Sequence, residues 1–184
     1  MMADANNPLT KIRRHKLAKD DEWIENFLIH GAMGTLATCI GDQPFLVTRN
    51  YAYDPQKRVI YLHGALKGRT YENIHKNNRV CFSVSEMGRL LPADEAVEFG
   101  VEYSGVIVFG RIQIVDEETE ATHGLYLLLE KYFPHLTPNK DYKPITPEAV
   151  KITAFLRIDI DCWSGKETRE REDYPGAFSY PSKI

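Results

Sequence analysis

The sequence predicts a mainly β, α+β fold: a small antiparallel barrel with flanking helices. Period-two alternation runs through six or so segments. The links between the early segments are short, with Gly41-Asp42 a two-residue hairpin signal and Asp54-Pro55 a second turn. Only two or three segments carry helical spacing, and the short hairpins leave no room for the crossovers of a parallel sheet. The 184 residues are read as a single domain over 1–184, with an N-terminal arm (1–19) and a C-terminal tail (167–184).

Taken in order, residues 1–19 are polar and basic, through Lys11, Arg13, Arg14, His15, Lys16 and Lys19. They read as a solvated arm, or as one that packs on a partner subunit or guards an anionic ligand. Asp20 is an N-cap, and Asp21 and Glu22 fall where the helix dipole favours negative charge. Trp23, Ile24, Phe27 and Leu28 then form one apolar face, and Gly31 ends the helix. Strands are predicted at 34–40, 44–53 and 58–63, a short helix near 69–77, and a strand at 79–86. Residues 87–100 read as a loop. The long strand 102–115 is apolar on both faces around 106–109, so its middle is expected to be buried on both sides. Gly105 and Gly110 within it signal bends or bulges. A second long helix follows Asp116-Glu117-Glu118, carries Leu125, Leu128, Leu129 and Tyr132 on its face, and stops at Pro134. After a Pro-rich loop, 134–147, the last strand is expected over Val150–Cys162, with Ile152, Ala154, Leu156, Ile158 and Ile160 on one face.

Composition excludes several functions. Twenty-six acidic against 23 basic residues and a pI near 6.1 argue against a general nucleic-acid binder. No apolar stretch approaches the roughly 18 residues needed to span a bilayer. The N-terminus has no apolar signal region. Cys39, Cys81 and Cys162 are odd in number and far apart, so they are neither a disulfide framework nor a metal site. They read as small buried hydrophobes in a reduced, cytoplasmic protein.

The stretch richest in chemistry is His63-Gly-Ala-Leu-Lys-Gly-Arg-Thr70, between a strand and a helix. Gly64 and Gly68 permit close backbone approach, Lys67 and Arg69 supply positive charge, and the helix start offers free N–H groups. The stretch is either a phosphate cradle or an ordinary solvated turn. It is not a Walker A loop, since its glycines are one residue too close and Arg69 stands where that motif has Lys. One strand earlier, Arg49 shares a face with Phe45, Val47, Tyr51 and Tyr53, whereas Thr48 and Asn50 share the other. An arginine among aromatics is costly unless paired or bound to an anion. The alternatives are an ion pair to Asp54 or Glu102, or a ligand shared with the 63–70 loop. Two ExxH pairs, Glu72/His75 and Glu120/His123, have the spacing of di-iron bundles, but a strand-rich chain makes both read as solvated helix faces. His30 and His135 read as caps or surface residues. No nucleophile elbow or cysteine signature is present.

The order of motifs is itself informative. Gly34-Thr-Leu-Ala-Thr38, Gln43-Pro-Phe45, Tyr51-x-Tyr-Asp54, Ile60-Tyr-Leu-His-Gly-Ala65, Gly68-Arg69, Asn73-Ile74 and Asn78-Arg-Val-Cys-Phe82 come first. Tyr103-Ser-Gly-Val-Ile-Val-Phe-Gly-Arg111, Lys131-Tyr132 and Ser164-Gly-Lys166 follow. Over about residues 12–166 the chain resembles the FMN-binding split barrels related to pyridoxamine 5′-phosphate oxidase, most closely the nitroimidazole-resistance-like group. The resemblance implies a six-stranded split barrel and a homodimer with FMN at the subunit interface, FAD being possible and haem a further alternative.

The resemblance also implies site residues. Thr48, Arg49, Asn50 and Tyr51, with Tyr61, Leu62, His63 and Gly64, would flank the flavin. Lys67 and Arg69 would hold its phosphate, and Trp163 would reach it from the other subunit. His63 matches an active-site histidine, which implies an oxidoreductase acting on a small planar acceptor such as a nitroaromatic. A non-catalytic flavin or haem binder, sensor or carrier, is the alternative. Two departures stand out. The C-terminus lacks the Arg-x-His arrangement of true pyridoxamine phosphate oxidases, and Thr48-Arg49 replaces a proline-containing strand.

Overall fold

The computed structural model describes residues 7–180. Its strands are β1 (Ala18–Lys19), β2 (Gly34–Ile40), β3 (Gln43–Arg49), β4 (Ala52–Asp54), β5 (Val59–Gly64), β6 (Arg79–Leu91), β7 (Gly100–Ile114), β8 (Ala154–Thr168) and β9 (Phe178–Ser179). The α-helices are α1 (Asp21–His30), α2 (Arg69–Lys76), α3 (Glu118–Tyr132) and α4 (Pro147–Lys151). The main path across the sheet is β3-β2-β6-β7-β8-β5-β4, antiparallel throughout, with β1 added to β8 and β9 to β6. The edges β3 and β4 do not pair, so the barrel is split, as expected. Residues 1–6 of the arm and 181–184 of the tail lie outside the described residues.

Helix α1 forms as its caps dictate. The Asp20 carboxylate accepts the Trp23 N–H at 2.9 Å, and the Gly31 N–H closes on Phe27. The helix buries Ile24 and Leu28 completely, each stabilising the fold by about 1.5–3 kcal/mol. Strand residues Leu36, Ile60, Leu62, Phe82, Val106, Val108 and Ile158 complete this core. A second cluster forms where α3 lies over Tyr61 and Phe155.

Polar ties hold α3 to the sheet. Glu120 accepts from Arg157 at 2.8 and 2.9 Å and from the Tyr61 hydroxyl at 2.7 Å. His123 Nε2 lies 2.8 Å from the buried Asp54 carboxylate. Glu120 and His123 are therefore anchors, not a solvated face, and no cluster of three metal-ligating side chains occurs among the described residues.

Other expectations need correction. The segment 44–53 is two strands: β3 pairs with β2 and β4 with β5, and the chain crosses the split at Asn50-Tyr51. The first five residues of the loop expected at 87–100 are strand, because β6 runs on to Leu91 through a bulge that sets Gly88 and Arg89 against Glu102, and 92–99 are loop as expected. Glu102 is 1% exposed and accepts from Arg89 Nε at 3.0 Å and Nη2 at 2.6 Å. Arg89 also donates to the carbonyls of Glu170, Arg171 and Glu172, which pins the tail. Around 106–109 only one face of β7 is buried: Val106 and Val108 point inward, whereas Ile107 is 42% exposed. The last strand starts at Ala154, not Val150: Val150 and Lys151 end α4, and Ile152 lies outside the core. The three cysteines are half-buried and unpaired.

Candidate functional site

Two clefts open on either side of the end of β5. The first, about 190 Å³, lies between β3, the loop after β5 and α2, and Phe45, Arg49, Lys67, Arg69, Thr70 and Tyr71 line it. Gly68 is the N-cap of α2 at φ +97°, a left-handed conformation that strains any residue with a Cβ. The turn it permits brings Lys67, Arg69 and the start of α2 to the wall of one space. The Arg69 guanidinium lies 4.7 Å from the Phe45 ring centroid.

Arg49 spans the split itself. From the end of β3, Nη1 donates to the His63 carbonyl at 3.1 Å and Nη2 to the Thr70 hydroxyl at 3.2 Å. Its Nε is buried with no hydrogen-bond partner. Burial lowers its pKa. Both ion-pair alternatives are excluded, since Asp54 is engaged by His123 and Glu102 by Arg89. Among the described residues Arg49, Lys67 and Arg69 have no carboxylate partner. Three cations around one cleft, one of them with an orphaned donor, make a site for an anion with several oxygens.

The second cleft, about 290 Å³, has His63 and Asn50 at its polar end and Leu125, Leu128, Leu129 and Phe133 of the α3 region as its wall. His63 thus serves both clefts, its carbonyl accepting from Arg49 while its imidazole faces the apolar one. Burial, and secondarily the Arg49 charge, lowers the imidazole pKa below its usual 6.5, so the ring is neutral at pH 7.

Not every residue implied by the resemblance reaches these clefts with its side chain. Arg49, Gly64, Lys67 and Arg69 line the first, and Asn50 and His63 the second. Thr48 is exposed and lies 3.3 Å from the Thr35 hydroxyl. Tyr51, Tyr61 and Leu62 are fully buried, and the Tyr51 hydroxyl donates to the Leu28 carbonyl at 2.7 Å. None of the three lines either cleft. Trp163, expected beside a partner's flavin, lines neither of these clefts. It is 2% exposed, its indole N–H donates to Asp21 at 2.7 Å, and its ring packs on Tyr53 and Arg58. Sequence reasoning missed Phe45 and Thr70 as cleft residues, although Thr70 directly follows Gly68-Arg69.

Comparison with known proteins agrees with this architecture. A family described as pyridoxamine 5′-phosphate oxidase matches residues 20–167. A flavocytochrome of Azotobacter vinelandii superposes with a TM-score of 0.75 at 20% identity, over 96% of this chain and 86% of that one. An FAD and haem binding protein of Mycobacterium smegmatis gives 0.72 at 16% identity, over 82% and 72%. A candidate 5-nitroimidazole antibiotic resistance protein of Bacteroides thetaiotaomicron gives 0.67 at 19%, over 82% and 86%. No curated protein matches the chain. With a split barrel in the structure and a family match over most of the sequence, the chain belongs to the pyridoxamine 5′-phosphate oxidase family.

Proposed function

We propose that the protein is a flavin-dependent oxidoreductase, working as a homodimer, that reduces a small planar acceptor of the nitroaromatic kind. The observation that carries the reading is Arg49: a half-buried cation with no carboxylate partner among the described residues and an orphaned Nε, beside Lys67 and Arg69. This donor set fits the phosphate of a flavin nucleotide such as FMN. Arg49, Lys67, Arg69 and the first N–H groups of α2 would hold that phosphate, and the main chain at Asn50–Tyr51 and Leu62–His63 would flank the ring. The bound flavin supplies two-electron transfer.

The protein's own part is positioning and proton supply. The leucines of α3 give the second cleft an apolar wall, and the His63 imidazole would present a hydrogen bond to an acceptor there. Neutral at pH 7, His63 donates from an uncharged ring and leaves the Arg49 charge to the phosphate. The outer sheet face supports the dimer. Ala37, Cys81, Phe109 and Cys162 form one row across it, and Thr35, Ser83, Ile107 and Ser164 the next, all small or apolar and none charged. Such a face suits a second copy of the chain.

His63 at the rim of an apolar cleft also favours a second reading, a haem carrier in which His63 would hold the haem. An absorption spectrum of the purified protein, followed by mass identification of anything released by heat, separates the readings. Flavin bands are expected; a Soret band replaces the first reading with the second. The variant Lys67→Ala/Arg69→Ala is expected to purify without flavin, and full occupancy overturns the phosphate assignment. His63→Ala is expected to keep its flavin and turn over a nitroaromatic more slowly; unchanged kinetics remove its role.

A further inference from the structure

A third cleft, about 630 Å³, opens between α1, β4 and the C-terminal half of α3. Its size is that of a small-molecule site. Ile29, Ala32, Ala52, Leu127 and Pro134 make most of its wall apolar, and Lys131 is the one lysine or arginine among the described residues that line it. Tyr132 lines both this cleft and the His63 cleft. Its hydroxyl fixes that shared wall, taking the Tyr51 N–H at 3.1 Å and donating to the Ala32 carbonyl at 2.8 Å.

Lys131 is half-buried, with Nζ 3.6 Å from the Tyr51 ring centroid and a long 3.4 Å bond to the Leu28 carbonyl. Those contacts suit a lysine closing the C-terminus of α1, where a cation is favoured. They do not satisfy it. An ammonium has three donors, and among the described residues no carboxylate lies within ion-pair distance of this one. Glu130 lines the same cleft but is exposed and unpaired with it. Burial alone pushes the Lys131 pKa down to about 8, as for a cation desolvated without a counter-charge.

The cleft therefore joins an ammonium that lacks an anion to walls that suit an apolar body. The anion is a weakly charged one. Both α1 and α3 end at this cleft, and the negative ends of their dipoles disfavour a dianion such as a phosphate monoester beside a single cation. We propose that the cleft binds a monocarboxylic acid with an apolar body, its carboxylate on Lys131 and its chain along Ile29, Leu127 and Pro134. The site is separate from the two clefts beside β5 and does not rest on the flavin reading.

The test is calorimetric titration with octanoate and with its uncharged counterpart octanamide, at pH 8 in two buffers of different ionisation enthalpy. Octanoate is expected to bind about 10- to 150-fold tighter than octanamide, the range of one charge-assisted hydrogen bond. At pH 8 about half of the Lys131 amines are neutral, and pairing with a carboxylate restores their charge, so octanoate should take up close to half a proton on binding. Lys131→Met should bind octanoate only as well as octanamide. Lys131→Arg keeps a charge that does not titrate, so it should bind octanoate without proton uptake. His30, Tyr53, Glu130 and Tyr132 also line the cleft and titrate, and the arginine variant separates Lys131 from them. No binding of octanoate at millimolar concentration overturns the proposal, and so does octanoate binding no tighter than octanamide. Full octanoate affinity in Lys131→Met, or proton uptake that survives in Lys131→Arg, also overturns it, because either places the acid away from this amine. Should a variant fail to fold, the amide comparison and the proton uptake of the wild-type protein decide the matter.

Discussion

Arg49→Met separates a ligand-binding arginine from a structural one. Methionine keeps an apolar stem of similar reach beside Phe45 and removes the guanidinium. In the flavin-free protein two effects oppose. The orphaned Nε is relieved, and an unsatisfied buried donor costs about 1–3 kcal/mol. The bonds to the His63 carbonyl (3.1 Å) and the Thr70 hydroxyl (3.2 Å) are lost. Because the terms are similar in size, the net change should fall within about 1 kcal/mol, or about 2–4 °C in melting temperature for a chain of this length. Flavin binding has no such cancellation. A charge-assisted hydrogen bond contributes about 1.5–3 kcal/mol, so the dissociation constant should rise by about 10- to 150-fold. The assay pairs a thermal melt of the flavin-free variant with a flavin fluorescence titration. A variant that melts far lower while binding flavin as wild type does would show Arg49 to be a strut across the split, and the cradle argument would fail.

Two further predictions concern groups outside the two clefts beside β5. Trp163→Phe removes a hydrogen bond to a carboxylate, a loss of about 1.5–3 kcal/mol, so it should melt about 3–12 °C lower with flavin affinity unchanged; loss of flavin without loss of stability would return Trp163 to the cofactor. Lys131 sits in the wall of the cleft between α1 and α3, its Nζ 3.6 Å from the Tyr51 ring centroid, and burial pushes its pKa down to about 8 from 10.5. The charged form is therefore disfavoured in the fold, and the unfolded chain binds more protons between those values. Stability should rise with pH across that window and should be at its lowest, for this group, below pH 8. Compared with Lys131→Met by denaturant melts, the wild-type slope should exceed the variant's by about 1–2 kcal/mol over the window, after allowance for solvent screening; parallel curves would refute the buried-amine account.

What could be read from sequence followed the range of the interaction. Asp20 and Gly31 act within one helical turn, and both caps form as expected. The Gly41-Asp42 hairpin is equally local. The 63–70 loop was legible because two glycines and two cations crowd a strand-to-helix junction, an arrangement with few uses. Arg49 was legible as a problem, a cation among aromatics, but not in its solution. Its contacts, His63 and Thr70, lie 14 and 21 residues away, across a break in the strand that period-two alternation does not show. The same holds for Glu120 and His123. Their partners Arg157 and Asp54 belong to strands distant in sequence, so a helix face that looks solvated is in fact bolted down. Residues 87–91 read as loop because Gly88 and Arg89 break the apolar pattern, and only the buried Glu102 on the opposing strand explains an arginine there.

Trp163 shows how one residue can invert a reading. Inward positions on β8 run Leu156, Ile158, Ile160, and strict alternation places Cys162 inside and Trp163 outside, where a partner's flavin would meet it. In the structure Phe109 opposes Cys162 while the adjacent Gly110 opposes Ile160, so Asp161 is an extra residue with no partner on β7. A bulge of this kind shifts the alternation by one position, and every later side chain on the strand changes face. Trp163 and Gly165 turn inward, and Ser164 and Lys166 turn out. The cause sits on the neighbouring strand, where a Cβ at Gly110 would lie 2.2 Å from the Asp159 carbonyl, so only glycine lets β8 approach closely enough to bulge. The glycine was visible as the signal of an irregularity in β7, but which strand would carry the extra residue depends on a pairing partner some 50 positions away in the chain. It follows that the outward-facing residues of this strand are Ser164 and Lys166, the immediate neighbours of the tryptophan that the sequence singled out.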